Sequence, residues 1–129
     1  MGRDVRRSRS VATWLQDLAG TLRTLQRDVG ERPLLVVILP TQFHLDGELR
    51  AKVLAEMQLD PALLRLGSAQ QHVLDVCSRM GLASLDATAF LNTAGTPSDL
   101  YNSDHIHLSV RGNQVVAKAL AERLSPMLR

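Results

Sequence analysis

The 129 residues suffice for one domain with a single modest core, and a content of 45% hydrophobic and 22% charged residues marks a globular rather than a disordered chain. Aromatics make up only 3%, which argues against the stacking platforms of single-stranded nucleic-acid binders. The net charge of +2 is concentrated at one end: Arg3, Arg6, Arg7 and Arg9 face only Asp4, so the remaining chain is near neutral, shows no basic face and gives no expectation of a nucleic-acid partner.

Residues 1–9 lack hydrophobic periodicity and are expected to form a disordered basic tail ahead of one domain spanning 10–129. The start contains no apolar stretch of the kind a secretory signal needs, and the longest apolar run is too short to cross a membrane. The expectation is a cytoplasmic protein with no membrane partner. Ser10 suits an N-cap; Val11, Trp14, Leu15, Leu18, Leu22, Leu25 and Val29 then recur at helical spacing until Gly30, and so wide a stripe must cover a sheet or another helix.

Pro33 admits a strand at its start, and Leu34, Leu35, Val36, Val37, Ile38 and Leu39 follow without alternation, the pattern of a parallel strand buried on both faces. After Thr41, Gln42, Phe43 and His44, residues 46–57 present Leu49, Val53, Leu54 and Met57 on one helical face. Asp60 and Pro61 open a short turn that stops at Gly67. Ser68 with Gln71 reads as a capping box for a helix whose stripe is Ala69, Val73, Val76, Cys77 and Met80, closed by Gly81. Cys77, the single cysteine, is expected to be a small buried hydrophobe.

A second strand over 82–85 ends at Asp86, residues 87–91 add a helical turn, and Gly95, Thr96 and Pro97 form a loop. The chain then enters Leu100, Tyr101, Asn102, Ser103, Asp104, His105, Ile106, His107, Leu108 and Ser109 before an amphipathic helix over 110–124 with Ser109 as its N-cap. Helices alternating with two strands give an α/β class with a short parallel sheet. Ligands of such sheets collect beyond the carboxyl ends of the strands, where Thr41, Asp86 and the 102–107 loop all fall.

Asp104 and His107 are three apart, a spacing at which a bent loop sets a carboxylate behind an imidazole, fixing its tautomer and freeing the other nitrogen to take a proton. The bland alternative for the same residues is a carboxylate capping loop amides beside a surface histidine. His105 and His107 also make an H-x-H pair that with Asp104 or His44 has the ligand types of zinc, but no second cluster supports a metal. Neither metal nor cofactor is expected.

The run Asp104, His105, Ile106, His107, followed by Gly112 and the apolar positions Val115, Val116, Ala119 and Leu120, resembles the last motif block of the SGNH (GDSL-type) hydrolases, where a D-x-x-H loop before the final helix supplies the acid and base of a Ser-His-Asp triad. The likeness covers roughly residues 11–124. It implies a flavodoxin-like, three-layer α/β/α sandwich, present here in its C-terminal part, with Asp104 as orienting acid and His107 as general base; Thr41, Tyr101 and Asn102 are expected near the substrate, with packing against the last helix the other reading of Tyr101.

The Gly-Asp-Ser block, the following glycine block and the Gly-x-x-Asn block of that family are absent from this sequence, so the nucleophile is not encoded in it. The resemblance therefore implies an esterase or acyl-group transferase that is inactive alone. Its substrate would be a small-molecule or carbohydrate ester, and an upstream domain or self-association would complete the sheet. A non-catalytic binding module derived from such a hydrolase is the other reading.

Overall fold

The computed structural model describes residues 2–128, with side chains from Val11 onward. Helix α1 runs Gly2–Val29, starting well before the expected cap at Ser10. Nothing between Gly2 and Ser10 breaks a helix: no proline intervenes, and arginine is a good helix former, so propagation continues back through the basic stretch. The basic side chains of residues 1–10 lie outside the described ones. Gly30, at φ +62°, ends the helix in the left-handed conformation that the C-terminal glycine was expected to supply.

Strand β1 (Leu35–Ile38) pairs in parallel with β2 (Ala83–Asp86), Leu35 opposite Ala83 and Ile38 opposite Asp86. The ladder continues one step beyond, where the Ala87 amide donates to the Ile38 carbonyl at 3.0 Å. Between the strands lie α2 (Gln42–Leu45), α3 (Gly47–Glu56), a 3-10 turn at Pro61–Leu63 and α4 (Ser68–Arg79). After β2 come α5 (Thr88–Thr93), α6 (Pro97–Leu100), α7 (Val110–Leu124) and a 3-10 turn at Ser125–Leu128.

Two apolar clusters hold these elements. Leu22 of α1 buries against Val76 and Cys77 of α4, joined by Leu15, Leu18, Ala19, Val73 and Met80, by Val36 of β1 and by Leu82 just ahead of β2. Burial pushes the Cys77 thiol up from its ordinary pKa, as expected of a cysteine acting as a hydrophobe. The second cluster gathers Ala87, Leu91, Leu100, Tyr101 and Val116, with Leu45, Leu108 and Leu120 at its margin, and so ties α5, α6 and α7 to the end of β2.

Several expectations change. Both strands are half-buried at every position rather than enclosed on both faces. With two strands, each has one neighbour, and among the described residues no third strand joins them. Trp14 stays 46% exposed and Met57 62%, so the α1 and α3 stripes are only partly covered. Helix α4 is capped by Gly67, with Ser68 already helical, and Gln71 donates to Asp75 at 2.8 Å instead of closing a capping box. Asp46, by contrast, is the N-cap of α3, accepting from the Leu49 amide at 3.0 Å. Two short helices, α2 and α6, occupy stretches that carry no helical periodicity of their own.

Candidate active site

The chain from Leu100 to Ser109 doubles back on itself. Tyr101 and Leu108 form an antiparallel bridge, the Asn102 amide donates to the His107 carbonyl at 2.8 Å, and the Ser109 amide donates to the Leu100 carbonyl at 2.9 Å. The turn at the tip closes through the His105 amide, which reaches the Asn102 carbonyl at 3.0 Å with His105 at φ +62°.

Inside this hairpin Asp104 does two jobs. Its Oδ1 accepts from the Ile106 and His107 amides, each at 2.9 Å, and its Oδ2 lies 2.6 Å from His107 Nδ1. The cap on the loop amides and the contact with the imidazole, alternatives on sequence grounds, are thus both made, one by each oxygen of the same carboxylate. The hydrogen bond from the His107 ring, followed by those from the His107 and Ile106 amides, holds the Asp104 carboxyl well below the usual carboxylate range. An ionised carboxylate only accepts, so Nδ1 carries a proton, and in the neutral ring Nε2 is the nitrogen with the free lone pair. No hydrogen bond among the described residues reaches Nε2, and the His107 side chain is 75% exposed.

The hairpin docks on the segment that leaves β1. Tyr101 donates its hydroxyl to the Pro40 carbonyl at 2.6 Å, and the Gln42 amide donates to the His105 carbonyl at 3.0 Å. The pair therefore sits at the carboxyl ends of the strands. His107 lines a groove of about 330 Å³ together with Leu39, Pro40, Thr41, Ile106, Leu108 and Asn113. Its wall is mainly apolar, and the His107 ring is its titratable group.

The expected substrate-side residues fare differently. Thr41 lines the groove, but its hydroxyl lies 3.1 Å from His44 Nδ1 at the start of α2. Tyr101 belongs to the core instead: it is buried, its phenol is pushed up to about 12 by burial, and its hydroxyl fastens the hairpin to the strand tip. Asn102 is exposed at the hairpin neck and takes part through its backbone. Asp86 is likewise occupied, accepting from the amide and hydroxyl of Thr88 at 3.0 and 2.6 Å.

Ser109 caps α7, accepting from the Gly112 amide at 3.1 Å and donating to the Asp99 carbonyl at 2.6 Å, so its hydroxyl is not available to His107. Among the described residues no group of three or more histidine, cysteine or acidic side chains could hold a metal ion, and His44 and His105 have separate partners. Gln42, a buried amide bonded to His105, carries no sequence signal; Gly112, marked in the sequence only through the family likeness, lacks the side chain that would keep α7 from the Leu100 carbonyl. The chain matches no protein-family model, no curated protein and no solved structure.

Proposed function

We propose that this chain carries the acid and base of a serine-type ester hydrolase or acyl-group transferase, with Asp104 orienting His107 and His107 Nε2 serving as general base. The observation that carries the proposal is the 2.6 Å contact between Asp104 Oδ2 and His107 Nδ1, made at the carboxyl rim of a parallel sheet with the opposite ring nitrogen unpartnered. A base so placed accelerates acyl transfer by about a hundred- to ten-thousand-fold, provided that a hydroxyl lies within hydrogen-bond reach.

No such hydroxyl touches Nε2 among the described residues, so the serine and its oxyanion-hole donors come, in this reading, from sequence or a subunit beyond these 129 residues. The open edges of β1 and β2 are where added strands would extend the sheet toward a three-layer sandwich of the SGNH type. The groove beside His107, walled by Leu39, Ile106 and Leu108, suits the acyl part of a small-molecule or carbohydrate ester.

The isolated chain is expected to show no esterase turnover above background. Supplying an upstream segment that bears a Gly-Asp-Ser block should confer turnover and covalent labelling by a serine-directed phosphonate, and His107→Ala in that protein should abolish both. Full turnover in the His107→Ala protein would remove the assignment.

A further inference from the structure

His105 stands between the acid and the base, at φ +62° in a conformation that a residue bearing a Cβ adopts rarely. That turn swings the Ile106 and His107 amides, and with them the His107 ring, onto the single carboxylate of Asp104. What holds it there comes from 63 residues earlier in the chain, where Gln42 is buried to 4% exposure. The Gln42 backbone amide donates to the His105 carbonyl at 3.0 Å, and its side-chain Oε1 lies 2.9 Å from His105 Nδ1.

The direction of these bonds follows from Asp46. Gln42 Nε2 donates to Asp46 Oδ2 at 3.0 Å, and a carboxylate cannot donate in return. The amide oxygen must therefore face His105, whose Nδ1 is the protonated nitrogen. Asp46 is itself fixed as the N-cap of α3; the Leu49 amide, then the Gln42 side chain, hold its carboxyl below the ordinary value. A rigid helix start thus orients a buried amide, and the amide grips both the backbone and the ring of the strained residue.

We propose that Gln42 and His105 form a latch that positions the Asp104 carboxylate against the His107 ring. His105 is a positioning residue whose imidazole secures the left-handed turn, and it need not touch a substrate. The latch goes beyond the hydrolase reading, because it concerns the loop's geometry whether or not a serine is ever supplied.

The test exploits the freedom of glycine at positive φ, which alanine lacks. His105 lies on an exposed loop, so substitutions there leave the cores intact. In the full chain, labelled with nitrogen-15 and carbon-13, the ring nitrogen shifts of His107 report its tautomer, and the carboxyl carbon of Asp104 reports its titration. The wild-type protein should hold His107 in the Nδ1–H form, with Asp104 titrating well below other exposed carboxylates.

His105→Gly should preserve both signatures. His105→Ala should lose them, the ring passing to a tautomer mixture and Asp104 rising toward the ordinary carboxylate range. Gln42→Ala should behave like His105→Ala, and adding His105→Gly to it should rescue the pair. Equal behaviour of the glycine and alanine variants at position 105, whether both keep or both lose the Nδ1–H form, would overturn the latch even if Gln42→Ala proved too unstable to assay. Both signatures are read without substrate. A serine-supplemented protein that is inactive while its ring shifts are normal would count against the hydrolase reading and leave the latch standing.

Discussion

Gly112 offers the sharpest check on how the hairpin and the last helix fit together. It is the third residue of α7, where an alanine would ordinarily favour the helix by about 1 kcal/mol. A Cβ at this position would, however, stand 2.1 Å from the Leu100 carbonyl oxygen and 3.1 Å from its carbon, with Leu108 Cδ2 at 3.0 Å. The first of these is about 1 Å inside the closest approach that real Cβ atoms make. The oxygen cannot simply withdraw, because it also accepts from the Ser109 amide at 2.9 Å. Overpacking of this kind costs about 1–3 kcal/mol, and a contact with fixed backbone belongs at the upper end. After the gain in propensity, Gly112→Ala should destabilise the protein by about 2 kcal/mol, lowering Tm by about 6–10 °C for a domain of this size. Gly20 provides the internal control: it lies inside α1 with nothing within 4 Å of its added Cβ. Gly20→Ala should therefore stabilise by about 0.5–1 kcal/mol. Urea and thermal unfolding of the two variants, side by side, decide the matter. If Gly112→Ala were as stable as Gly20→Ala, the close packing of α7 on the end of α6 would be wrong, and the docking of the hairpin would fall with it.

Two further expectations concern the groups that anchor the same hairpin. The only tyrosine, Tyr101, has its phenol raised to about 12 by burial, against about 10 when unfolded, so the folded state keeps the proton longer. Stability should be undiminished by this group below about pH 10 and should fall as the pH rises from about 10 to about 12; phenolate absorbance appearing near pH 10 while the circular dichroism stays native would contradict the burial of the ring. Ser109→Ala removes the acceptor for the Gly112 amide and the donor to the Asp99 carbonyl, and should cost about 1 kcal/mol in urea unfolding; no loss would mean that α7 does not depend on this cap.

How much of this could be read beforehand depended on how local the determinants were. Helix α7, with Ser109 as its cap, was fully legible because the cap and the apolar stripe lie within one stretch of sequence. The same holds for Asp60 and Pro61, which open the 3-10 turn by local chemistry. The contact between Asp104 and His107 was legible for a related reason: they stand three positions apart, so the pairing needs only a bend, and the chain carries the means for that bend in Asp104's own second oxygen. Exposure was not legible. An unalternating run such as Leu35, Val36, Val37 and Ile38 says that both faces can be buried, but whether they are depends on how many strands lie alongside, and among the described residues there is one. Tyr101 was ambiguous between groove and core for want of its partner, the Pro40 carbonyl, which sits 61 residues earlier in the chain.

The positive φ of His105 was hidden for the deepest reason. Histidine tolerates that conformation better than most residues but does not demand it, so the sequence holds no glycine to announce the turn. The demand arises in three dimensions, from a glutamine whose amide is already committed to Asp46 and can meet the loop in only one orientation. Pairs close in sequence can declare a site, whereas the strain that keeps such a pair aligned is paid for by residues that only the fold brings near. The alignment of the dyad should accordingly be more sensitive to changes at Gln42, outside the motif, than to changes at the neighbouring Ile106, whose side chain is exposed on the groove wall and which meets the Asp104 carboxylate through its backbone amide.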